Sequence, residues 1–132
     1  MYEIIYFVQR GRSGWSERDC WSVDSHLSEI IPEMLRWLKV TKHGVPNEFV
    51  EMARKTREEN GVQVIDETDV DQGVKLFDAV LDEIIEGFEA HQNIDNHRDY
   101  NREEHQANEK IWRAKFLRGM ELFIKYYDTL WD

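Results

Sequence analysis

The chain has 132 residues, 41% of them apolar and 33% charged, with a formal net charge of −10, which suffices for one hydrophobic core and requires no second domain. Its 17 Lys+Arg and 27 Asp+Glu are unevenly placed: residues 1–43 hold six of each, leaving 11 and 21 for residues 44–132. That balance excludes a general nucleic-acid groove, which needs a basic field along the backbone, and the single Cys20 excludes an internal disulfide and a cysteine zinc site.

Residues 2–8 form an apolar run too short for periodicity to separate a strand from a buried arm. An arm packed on the rest of the chain is the expectation. The run is also too short and wrongly flanked for a signal peptide or a membrane span, so a soluble intracellular protein with no membrane partner is expected.

The next stretch concentrates Arg10, Arg12, Trp15, Arg18, Trp21 and His26 around Gly11 and Gly14. Ser16 followed three residues later by Asp19 is close to a capping box, so a helix is expected to begin there. Forked cations and flat aromatic faces at a helix N-terminus suit a phosphate and a stacked base. The same residues also read as surface ion pairs with Trp15 and Trp21 as core anchors. Cys20 reads as buried filler more readily than as a reactive thiol.

The first helix is expected from about Ser16 to Val40, with Leu27, Ile30, Ile31, Met34, Leu35 and Leu38 at helical spacing. Pro32 predicts a kink or a break near Ser28 to Ile31. Ser22, His26, Glu29, Glu33 and Arg36 share the opposite, polar face. The turn Thr41 to Asn47 contains His43, which reads either as a ligand contact or as a helix C-terminal cap.

A second helix is expected over about residues 47–59, with Phe49, Met52 and Ala53 inward and an end at Asn60-Gly61. The acidic run Asp66 to Asp71 lacks the ligand spacing of a calcium loop and reads as a helix entry capped by Thr68 or Asp69. The third helix, about Val70 to Gln92, has the clearest stripe, Val74, Phe77, Leu81, Ile84, Ile85 and Phe88. Its carboxylates lie opposite that stripe, and no Glu stands three residues before His91, His97 or His105, so no metal site is expected. Residues 93–108 are polar and read as a loop or a solvated helical extension. The last helix, about Glu103 to Leu130, carries Trp112, Phe116, Met120, Phe123, Tyr127 and Leu130, a stripe expected to close the core against helices one and three. Trp131 is expected to pack or to serve a subunit contact.

Three stretches, RGRSGWSERDCWSVDSHL (10–27), HGVP (43–46) and GMELFIKYYDTLW (119–131), together resemble a family of small bacteriophage proteins that carries no assigned activity. The likeness covers both ends well and the middle loosely, through Phe77 to Phe88. It implies a phage origin, expression in a host bacterial cytoplasm and one unit spanning residues 1–132.

The fold expected is therefore a mainly α single-domain bundle of four to five helices with a short apolar N-terminal arm or strand. Three functions follow. The first is a non-enzymatic binder of a small phosphorylated ligand, in a phage a sequestered nucleotide immune signal, held by Arg10, Arg12, Trp15, Arg18, Trp21, His26, Arg36 and His43. The second is an inhibitor or adaptor docking on a host bacterial protein through its acidic surface, and the third a virion or assembly component. An enzyme comes last, because no catalytic or metal constellation is assignable, and no cofactor is expected. A homo-oligomer is expected, since small binding proteins often build a pocket across a symmetric interface.

Overall fold

The computed structural model describes residues 2–58, 66–96 and 102–131. Five α-helices follow one another: α1 (Tyr2–Ser13), α2 (Val23–Thr41), α3 (Asn47–Glu58), α4 (Glu67–Asn96) and α5 (Arg102–Lys125). Two 3-10 helices join them, η1 (Glu17–Ser22) between α1 and α2 and η2 (Tyr127–Thr129) after α5. The described residues contain no β-strand. The expected helix end at Asn60-Gly61, and His97 in the polar connection, lie outside the described residues.

α4 is the axis, and α2, α3 and α5 each pack on it. Its stripe is the centre of the core: Phe77, Leu81, Ile84, Ile85 and Phe88 are buried together with Leu35 of α2, Phe49 of α3, and Leu122 and Tyr126. Two close approaches hold these helices to α4. At the α4–α5 crossing, a Cβ on Gly87 would meet the Gly119 Cα at 2.8 Å, so the two backbones touch through paired glycines. At the α3–α4 contact, a Cβ on Gly73 would lie 3.1 Å from the Val50 nitrogen.

The rim of α4 is tied by ion pairs. Lys39 bonds Asp82 at 2.8 Å, Lys42 bonds Asp78, Arg36 pairs with Glu89, and Arg118 of α5 approaches Glu83 at 3.6 Å. Carboxylates that read as a solvated face thus clip α2 and α5 to α4.

Pro32 does not break α2. The helix runs unbroken through it, with Pro32 and Ser28 both buried against α4. Proline has no N–H for the carbonyl four residues earlier, and the Gln92 side-chain amide of α4 donates to that Ser28 carbonyl instead. The hydrogen bond that proline removes is replaced by one from the neighbouring helix.

Four further expectations are corrected. Residues 2–8 are neither strand nor packed arm: they belong to α1, which contacts η1 and buries no residue. The segment from Ser16 begins as a 3-10 helix, and the α-helix starts only at Val23. The residue capping α4 is Asp66, whose Oδ1 accepts the Asp69 N–H at 3.2 Å while Asp69 Oδ2 accepts the Asp66 N–H at 3.0 Å. Finally, the α5 stripe does not close against helix one. Phe116 and Phe123 pack on Phe88 of α4 at 6.3 and 5.4 Å, and Phe123, Tyr127 and Leu130 meet α2 only across a groove.

Candidate functional site

The α1–η1 junction is built on Asp19, whose side chain is 7% exposed. Asp19 Oδ2 accepts the Ser16 N–H at 2.8 Å and the Arg10 Nε–H at 3.0 Å, while Arg10 Nη2 bonds Oδ1. His26 Nδ1 of α2 approaches the same Oδ1 at 3.4 Å. The Arg10 hydrogen bond, aided by those from Ser16, holds the Asp19 carboxyl far below the ordinary carboxylate value. Asp69 repeats the device. Arg57 of α3 grips it at 2.9 and 2.6 Å, and this hydrogen bonding lowers its pKa as well.

The eight residues expected to form a ligand pocket fall into separate places. Arg10 and His26 meet at Asp19. Arg18 and Trp21 line an open niche of ≈ 490 Å³ with Tyr2, Glu3 and Tyr6, and Trp21 stands edge-on to Tyr6 at 6.2 Å. Arg12 and Trp15 are exposed on the same arm. Arg36 lies ten residues beyond His26 along α2, about 15 Å away, where it pairs with Glu33 at 2.8 Å and with Glu89. His43 lies past the far end of α2. The structure thus gathers Arg10, Arg12, Trp15, Arg18, Trp21 and His26 at one end and leaves Arg36 and His43 elsewhere. Trp15 and Trp21 are 52% and 73% exposed, so they are not core anchors. Cys20 is exposed too.

His43 opens a second concavity of ≈ 580 Å³, shared with Gly44 to Glu48, Thr129 and Trp131. Two of the three motif stretches meet there. A third concavity, of ≈ 500 Å³, is the groove between α2 and the end of α5, lined by Ile31, Met34, Leu35, Leu38, Phe123, Tyr127 and Leu130.

Sequence reasoning missed one polar cluster. Ser28 Oγ lies 3.3 Å from His91 Nδ1, His91 Nε2 lies 3.6 Å from Asp24 Oδ2, and the imidazole packs tilted against Phe116, ring centroids 4.8 Å apart. The residue types are those of a hydrolytic triad, but the geometry is not: Ser28 is 2% exposed in mid-helix, beyond the reach of a substrate carbonyl, and 3.6 Å is too long to orient the ring. The cluster satisfies polar groups where α2 docks on α4. Only a pairing across 63 residues reveals it, and no local spacing signals that pairing. Among the described residues no three or more His, Cys, Asp or Glu side chains converge as a metal site, and no helix is long and apolar enough to cross a membrane.

No family model, no curated protein and no solved structure matches this chain.

Proposed function

We propose that this is a non-enzymatic binding protein of phage origin that docks on a host bacterial protein, as inhibitor or adaptor, through the tip formed by α1 and η1. The observation that supports this most is the composition of the tip. Arg12, Trp15, Arg18 and Trp21 are all exposed on one projection, with Tyr6 beside Trp21. Trp, Tyr and Arg are the residues that dominate binding energy at protein interfaces. The acidic surface supplies less than composition suggested, because Asp78, Asp82 and Glu89 of α4 are engaged by Lys42, Lys39 and Arg36.

Affinity capture from host lysate tests the reading when wild type is compared with a Trp21→Ala/Arg18→Ala double variant. A host protein retained by the wild type, lost by the variant and then bound by the purified chain supports it. Identical captures by both contradict it.

A phosphorylated ligand is the second reading, favoured by the niche where Arg18 lies beside Trp21, Tyr6 and Tyr2. A thermal-shift screen against cyclic oligonucleotides and mononucleotides separates the two, since a ligand of the native state raises the melting temperature by mass action.

A further inference from the structure

α1 is an amphipathic helix with one face that no described residue covers. Tyr6 and Gln9 turn toward η1, where Gln9 Oε1 accepts the Glu17 N–H at 2.9 Å. On the other side Ile4, Phe7, Val8 and Gly11 follow i, i+3, i+4, i+7 spacing, and the first three side chains are 69%, 77% and 58% exposed. That spacing is the signature of a helix that lies in an apolar groove.

Among the described residues, none fills the groove between α2 and the end of α5. Its α2 wall, Ile31, Met34, Leu35 and Leu38, repeats the same i, i+3, i+4, i+7 spacing, and its other wall is Phe123, Tyr127 and Leu130. Wall and helix face each span seven residues, about 10 Å of helix axis. We propose that α1 of one copy of this chain docks in the α2–α5 groove of a second copy, and that reciprocal exchange closes a two-fold dimer.

The second copy is favoured over the chain's own α1 by the ties at the junction. Arg10 to Asp19, Gln9 to Glu17 and Tyr6 to Trp21 hold α1 on η1, before the start of α2, whereas the groove begins eight residues into α2 at Ile31. Folding back would break these contacts, and docking on a second copy keeps them. The area is adequate. A stable interface buries about 1,200–2,000 Å² in total, so a reciprocal exchange needs about 300–500 Å² from each of two helices and two grooves. An aromatic side chain presents about 150–250 Å², and Phe7 with Ile4 and Val8 on either side supplies that order of area. The proposal uses a different face of α1 from the host-docking tip and does not rest on that reading.

Sedimentation equilibrium of the full chain tests it, with Phe7→Asp and Met34→Asp as variants. Both positions are exposed, so the fold survives, and far-ultraviolet circular dichroism verifies this. The wild type is expected at twice 15.9 kDa, each variant alone at 15.9 kDa, and an equimolar mixture of the two variants is expected to associate more weakly than the wild type but more strongly than either variant alone, because one intact helix then meets one intact groove. Added salt should tighten the wild-type dimer by screening the charge of −10 on each copy. A wild type monomeric at all concentrations means that α1 serves another partner or its own groove and overturns the proposal. Dimers lost in Phe7→Asp alone mean α1 against α1, and dimers lost in Met34→Asp alone mean groove against groove. Either result overturns it, as does a mixture that associates no better than either variant alone at any concentration.

Discussion

α4 and α1 are both apolar helices, and they differ in where their apolar face finds a partner. α4 buries Phe77, Leu81, Ile84, Ile85 and Phe88 against three neighbouring helices of its own chain. α1 buries nothing and stands on η1 by an ion pair, a hydrogen bond and a ring contact. Their junctions nonetheless use the same device: an arginine of the preceding helix grips a buried aspartate in the first turn of the next element, Arg57 to Asp69 before α4 and Arg10 to Asp19 after α1. The shared device fastens α1 to η1 while its apolar face stays exposed, and the α2–α5 groove is an apolar surface of complementary spacing.

The comparison is broken most severely inside α4. Phe77→Ala removes a ring packed 5.1 Å from Phe49, and a buried Phe→Ala costs about 3–5 kcal/mol, to be read as a shift of the urea midpoint. Gly87→Val places side-chain atoms against the Gly119 backbone, and overpacking of this kind costs about 1–3 kcal/mol. Gln92→Leu leaves the Ser28 carbonyl without its donor, a loss of about 1–3 kcal/mol for a buried unsatisfied group. By contrast Phe7→Asp should change unfolding of the dilute chain by no more than about 0.5 kcal/mol, since the side chain is exposed.

Acid sharpens the comparison between the two junctions. Asp19 and Asp69 both have pKa values lowered from the ordinary value of 3.8, first by the hydrogen bonds from Arg10 and Arg57. Each therefore contributes stability that is fully present above about pH 4 and is lost as pH falls further. A flat contribution to the melting temperature from pH 8 to about 5, with a fall below about 4 that Asp69→Asn reduces, is expected. The matching fall for Asp19 appears as release of α1, read by Trp21 fluorescence.

α4 was legible in the sequence because its stripe recurs at three- or four-residue spacing over about four turns, so the helix, its inward face and the core it organises all follow from spacing. α1 was not, because a seven-residue, mostly apolar run satisfies strand and helix templates alike, and Gly11 reads as a turn although the helix continues to Ser13. The paired glycines Gly87 and Gly119 were invisible for another reason: each reads as a weak point in a helix until the other is opposite it. The candidate site was half legible. Its arginines and tryptophans were found as a cluster in sequence, but Asp19 was read as a capping residue alone, and only the fold shows that it engages Arg10 and His26. Arg36 shares a helix face with His26 and His43 follows in the turn after that helix, and helical rise alone carries Arg36 about 15 Å away.

The central claim is that the exposed face of α1 belongs in the groove of another copy, and disulfide capture tests it most directly. Two variants are mixed, both carrying Cys20→Ser, one with Val8→Cys and the other with Met34→Cys, and air oxidation is followed by non-reducing electrophoresis. The account predicts a covalent heterodimer from the mixture, well above any homodimer from either variant alone. A mixture that stays monomeric, or a single chain carrying both cysteines that closes its disulfide internally at high dilution, would contradict it.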